Sequence, residues 1–169
     1  ANTIENYIKK YGEEEGTKRF AEYSMRIGEI RSVSKISQEF FWQLYQELSL
    51  QEKRVYFSEL NREFGKLNTE TGTYYFYDFV LLDEKIVVEF NGDIFHANPK
   101  IYLAEQVPPF RGNKKTAREI WEYDAKKQKR IEQDGFTCIT VWDSDYKTDK
   151  LGTVKKTAKE IQDAILRNK

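Results

Sequence analysis

Between Thr73 and His96 the chain reads TYYFYDFVLLDEKIVVEFNGDIFH, two apolar runs parted by a charged turn, with one acid set into each run. Aromatic and β-branched residues at this density favour extended chain, and Asp83-Glu84 supplies a turn, so the stretch predicts an antiparallel hairpin. Counting outward from the turn sets the pairing: Leu82 faces Lys85, Leu81 faces Ile86, Val80 faces Val87, Phe79 faces Val88 and Asp78 faces Glu89. A four-residue loop keeps that register, whereas a three-residue loop slips it by one. Two carboxylates opposite each other on one sheet face have Cβ atoms ~5 Å apart and repel. A cation between them removes the conflict, so the hairpin itself points to a metal. Asn91, Gly92 and the single histidine, His96, follow at once.

The rest of the chain supplies the layers this hairpin needs. Ile4, Tyr7, Ile8 and Tyr11 predict a short helix ended by Gly12, and Phe20, Tyr23, Met25 and Ile27 a second one before Gly28. Residues 1–30 therefore read as a helical N-terminal arm and 31–169 as the main domain. The run Glu13-Glu14-Glu15 reads as a solvated helix start. Ser37 is placed as the cap of a helix over 38–48, with Glu39 in its first turn. Residues 52–72 read as a polar connection holding a short strand at Val55-Tyr56-Phe57. An irregular segment from Ala97 to Lys115, broken by Pro99, Pro108 and Pro109, leads to a helix over 117–134 capped by Thr116 and stopped at Gly135. A strand over 136–142 and an amphipathic helix over 153–167 complete an α/β chain, a mixed sheet flanked by helices.

Composition narrows the chemistry. The 28 basic and 28 acidic residues balance, so no global charge points to nucleic acid or membrane; the basic residues instead crowd after position 110. A lone cysteine, Cys138, excludes an internal disulfide and a multi-cysteine zinc site, and its apolar strand setting predicts an inert core thiol. No apolar run approaches the ~20 residues of a membrane span, and no signal peptide is visible.

Four features converge: the Asp78/Glu89 pair, His96 past the second strand, Asp124 on the apolar stripe of the helix over 117–134, and the basic residues around that loop and helix. An inward-facing carboxylate needs a partner, because an unpaired buried charge is costly. These parts suit metal-assisted phosphodiester hydrolysis. Hard carboxylate oxygens at Asp78 and Glu89 suit Mg²⁺, with Mn²⁺ as a substitute. His96 is placed to take a proton from water, and Asp124 to hold its other ring nitrogen. Arg111, Lys114, Lys115 and Lys127 are assigned to backbone phosphates, with Asn91 and Phe95 beside the histidine as further DNA contacts.

The array of Asp78, EFNGDIFH, Val107-Pro108, a helix bearing Asp124 and DGFTCITVW resembles the very short patch repair endonucleases. It also resembles the related EDxHD homing endonucleases, within the PD-(D/E)XK restriction-endonuclease-like fold. The likeness covers roughly residues 35–146. It implies a restriction-endonuclease-like fold and a Mg²⁺-dependent enzyme that cleaves double-stranded DNA, working in the cytoplasm of a bacterial or phage-infected host cell. Residue by residue it implies Glu39 holding the hydrated metal, Asp78 binding it directly, His96 beside the scissile phosphate and Asp124 as its partner. Departures are also present. The second strand carries Glu89-Phe90-Asn91 where the wider fold has Glu-x-Lys. Asp93, Asn98 and Lys100 stand where patch repair enzymes hold a structural zinc, so no zinc is expected. Of the residues in the place of their mismatch wedges, Ile94 and Phe95, only Phe95 is aromatic. Sequence-directed cutting of the homing type is therefore the expected activity. The alternatives are a mismatch-directed nicking enzyme and a non-catalytic DNA-binding module on the same fold. Targeting by a near-neutral chain suggests a homodimer or an added DNA-binding domain.

Overall fold

A computed structural model describes residues 3–29 and 34–169, and its core is one four-stranded mixed sheet with helices on both faces. The strands are β1 (Val55–Phe57), β4 (Phe79–Leu81), β5 (Ile86–Asn91) and β6 (Thr137–Trp142), hydrogen-bonded in the order β1-β4-β5-β6. The first two pairings are antiparallel and β5–β6 is parallel. A separate two-stranded sheet joins β2 (Phe64–Asn68) to β3 (Thr73–Tyr77).

The hairpin register is the one counted from the turn: Phe79 opposes Val88, Val80 opposes Val87 and Leu81 opposes Ile86. The turn spans residues 82–85, with Lys85 in the left-handed region at φ 56°. The first strand, however, is not continuous. It breaks at Asp78 into β3 and β4, and these belong to different sheets. At that point two backbone donors leave the ladder for carboxylates. The N–H of Asp78 donates to Glu89 Oε2 at 3.1 Å, and the N–H of Phe90 donates to Asp78 Oδ2 at 2.9 Å. The freed segment β3 pairs instead with β2, a strand hidden inside the polar connection over residues 52–72.

Side chains alternate across β5. Ile86, Val88 and Phe90 enter the larger core with α3 (Lys35–Glu47) and α6 (Lys150–Arg167), contributed by Phe40, Phe41, Leu44, Val154, Ala158 and Ile161. Val87 faces the other way, into a smaller core with Tyr75, Tyr77, Val80, Ile131 of α4 (Ala117–Glu132) and Phe136. Period two thus sends Glu89 and Asn91 to the α4 face. Burying each large apolar side chain contributes about 1.5–3 kcal/mol, so the sheet is held from both sides.

The helix ends follow capping chemistry, with shifts from expectation. α3 begins one turn early because Ser34, not Ser37, caps it, and Ser37 donates its hydroxyl to the Ser34 carbonyl at 2.7 Å. Glu39 therefore falls past the first turn. α4 starts at Thr116 with a full capping box to Glu119 and ends at Gln133, before Gly135 at φ 87°. A short α5 (Asp143–Thr148), not foreseen, precedes α6, whose cap is Asp149.

In the arm, α1 (Ile4–Tyr11) ends at Gly12, φ 84°, as expected. α2 (Glu13–Glu29) starts within the acid run and carries Gly28 inside it. The two helices pack on each other, α2 lies on β3, and Ile4 touches the β2–β3 turn at Gly72. The expected boundary at residues 30–31 and the side chains of Met25 and Ile27 lie outside the described residues. Among the described residues, no helix is long and apolar enough to cross a membrane.

Candidate active site

α4 and the loop after β5 bring His96 and Asp124 together. The loop has no regular element between Asn91 and Ala117, and its polar side chains anchor it. Asp93 Oδ1 accepts from Asn98 at 2.9 Å and from Ser144 at 3.0 Å, while the Asp93 N–H donates to Asp143 at 3.0 Å. Ala97, fully buried at φ 49°, turns the chain through a region that costs an L-residue about 1–2 kcal/mol. Its carbonyl accepts the indole N–H of Trp121 at 2.7 Å. One turn further along α4, Asp124 Oδ2 lies 2.8 Å from His96 Nδ1. One helix face therefore grips two consecutive loop residues. Both members of the pair keep about a third of their side-chain surface open, 33% and 29%. A carboxylate only accepts, so Nδ1 carries the hydrogen and Nε2 is left as a base.

A second cluster occupies the sheet side of the same cleft. Glu89 Oε1 and Lys127 Nζ are 2.6 Å apart, with side chains 16% and 17% exposed. The ammonium also lies 5.0 Å from the centre of the Tyr77 ring, and the Tyr77 hydroxyl donates to the Lys127 carbonyl at 2.6 Å. Burial, then the Glu89 charge, pushes the Tyr77 phenol up, so it remains a donor. Burial pushes Glu89 up to about 8; Asp78 adds to the rise and Lys127 opposes it. Burial pulls Lys127 down, but Glu89 and Asp78 outweigh it and the net direction is up. These two shifts conflict if each needs the other's charge. The raised lysine prevails, because Asp78 supplies an anion even when Glu89 holds a proton.

Glu89, Asn91, His96, Asp124 and Lys127 line this one cleft, and Asp78 stands beside it, half-buried and bonded to Phe90. Cys138 and Thr140, alternate residues of β6, complete its floor. Cys138 is thus half-buried at the cleft, not in the deep core, and burial pushes its thiol up to about 12.

Glu39 is not part of this group. It sits on α3 across the sheet, where Lys150 Nζ approaches it at 3.1 Å and 3.3 Å. Lys127 lies inside the cleft, apart from the outward surface assigned to phosphates. Arg111, Lys114 and Lys115 are exposed on the loop, with Lys115 5.6 Å from the Tyr123 ring centre. Phe95 is 63% exposed and packs against Phe110, ring centres 5.1 Å apart. The sequence does carry a signal for Lys127 as a cleft residue, since it follows Asp124 by one helical turn on the stripe that ends at Ile131. Tyr77 has none, because its position depends on the break at Asp78.

The donor set accommodates a hard divalent cation in a limited way. Among the described residues, no group of three or more His, Cys, Asp or Glu side chains is arranged to hold a metal ion. Mg²⁺ needs only one or two carboxylates beside water and phosphate oxygens. The facing carboxyls of Asp78 and Glu89 meet that need, Asp78 with Oδ1 free of N–H donors among the described residues and Glu89 once Lys127 moves off. No family model, curated protein or solved structure matches this chain.

Proposed function

We propose that this cleft is the active site of a Mg²⁺-dependent endonuclease that hydrolyses phosphodiester bonds in double-stranded DNA, on a restriction-endonuclease-like fold. One observation carries the reading: an acid–histidine pair at 2.8 Å opens into the same cleft as Glu89, whose carboxyl is paired through backbone N–H groups with that of Asp78 beside it. Mn²⁺ would serve in place of Mg²⁺. Asp78 and Glu89 would hold the metal, which would supply Lewis-acid polarisation of a phosphate and lower the pKa of a water.

His96 is placed to accept a proton from water at Nε2, because its Nδ1–H is committed to Asp124. Asp124 holds this tautomer and steadies the imidazolium that results. The water oxygen joins phosphorus as the bond to the leaving sugar oxygen breaks, and that oxygen takes up a proton from solvent to leave as a hydroxyl. Arg111, Lys114 and Lys115 neutralise backbone phosphates, and each contact adds about −0.9 to the slope of log affinity against log salt. Asn91 and Phe95 flank the histidine as further contacts with DNA.

The test is relaxation of supercoiled plasmid in Mg²⁺ by the full chain, with Asp78→Ala and His96→Ala as controls. Cleavage lost in both variants supports the proposal. No cleavage by the folded native protein in Mg²⁺ or Mn²⁺ refutes it, and cleavage confined to mismatched duplex reassigns it to mismatch-directed nicking. The pairing of Glu39 with Lys150 favours one rival, a module that binds DNA without cutting it. Tight, salt-sensitive DNA binding without cleavage would establish that rival.

A further inference from the structure

The carboxyl of Glu89 already has a cation against it. Lys127 Nζ reaches Glu89 at 2.6 Å, its side chain is 17% exposed, and it lies above the Tyr77 ring. The lysine stem is long and flexible, whereas its Cα is held in mid-α4 and its carbonyl is fixed by Tyr77. The head group can therefore leave without the helix moving. A divalent cation that took an oxygen of Glu89 would meet this ammonium at van der Waals range, and two positive charges there repel strongly in a half-dry site.

We propose that Lys127 is the resident counter-ion of the Asp78–Glu89 pair, and that a divalent cation binds only by displacing its ammonium from Glu89. Lys127 is then a positioning residue that sets the affinity of the site for metal. This rests on the metal site put forward above. It predicts that the free protein holds metal weakly, because only the fraction of molecules with the ammonium swung away is competent. If that fraction is about one in ten, removing the ammonium tightens metal binding about tenfold.

The experiment titrates the DNA-free 169-residue chain with Mn²⁺ and reads unbound Mn²⁺ by its paramagnetic resonance signal. Native protein, Lys127→Met and Asp78→Asn are compared. The expected result is a site lost in Asp78→Asn and about tenfold tighter in Lys127→Met. Unchanged or weaker binding by Lys127→Met, with the site lost in Asp78→Asn, overturns the counter-ion role and leaves the metal site standing. Native-like binding by Asp78→Asn removes the metal site itself. A second measurement uses native protein alone: acylation of Lys127 by an amine-reactive ester, followed by mass spectrometry. Lys127 should label slowly in metal-free protein and several-fold faster at saturating Mg²⁺. Equal labelling in both conditions overturns the proposal even if Lys127→Met fails to fold.

Discussion

Replacing Lys127 by Met removes the ammonium and keeps most of the stem, so it isolates the charge. Breaking a buried ion pair by deleting one partner costs about 3–5 kcal/mol. Water reaches about a sixth of each side chain, which trims the cost to about 2–3 kcal/mol. The cost depends on pH. Glu89 binds its proton more tightly in the folded protein than in the unfolded chain. Its contribution to stability is therefore complete below its ordinary value of 4.5 and is lost as pH rises through about 8. Without the ammonium the folded-state value climbs further, so the variant continues to lose stability above pH 8 where the native protein has levelled off. The gap between native and variant should be below about 1 kcal/mol at pH 6 and near the full 2–3 kcal/mol at pH 9. For a chain of 169 residues that full cost lowers the melting temperature by about 5–10 °C. Melting followed by circular dichroism in a chelator, at both pH values, measures it. An equal gap at pH 6 and pH 9 would refute the electrostatic reasoning and assign the loss to packing over Tyr77.

Other outcomes follow from single contacts. Cys138, with its thiol raised from 9.0 to about 12, should react with iodoacetamide at pH 8 about a thousandfold more slowly in folded than in denatured protein, followed by mass. Asp124→Asn should cut plasmid cleavage by about 10²–10⁴-fold while the melting temperature changes little, because the amide no longer enforces the productive tautomer. Thr116→Ala removes one half of the capping box and should cost about 1 kcal/mol in urea unfolding, with no change in slope against urea.

The central hairpin was legible because period-two patterning and turn length leave little freedom in register, and Phe79–Leu81 pair with Ile86–Val88 as counted. The His96–Asp124 contact was legible as well, since an acid on an apolar helical stripe demands a partner and the chain offers one histidine. The break at Asp78 was not. TYYFYDFVLL has unbroken strand propensity, and only the capture of two backbone N–H groups by carboxylates divides it. That division also concealed β2, whose residues, Phe64–Asn68, are partly buried throughout and show no alternation. Glu39 is a different case. Its metal role rests on the family resemblance alone, its place near a helix start being ordinary, and in the structure it lies on α3 across the sheet with Lys150 within reach. Capping ambiguity among Ser34 and Ser37 is local, while the lysine comes from 111 positions away.

The bend at Asp78 makes a single residue the shorter of two covalent links between the sheets, the longer being residues 58–63 between β1 and β2. Tyr77 belongs to the outer hairpin, Phe79 to the central sheet, and no residue separates either from Asp78. The outer hairpin in turn bears the N-terminal helices, through α2 on β3 and Ile4 on Gly72. The Tyr77 hydroxyl ties the outer hairpin to α4 at one end, and Arg130 of α4 donates to the Leu67 carbonyl of β2 at 2.9 Å. The outer hairpin therefore meets the cleft at two adjacent residues, Tyr77 in its wall and Asp78 beside it.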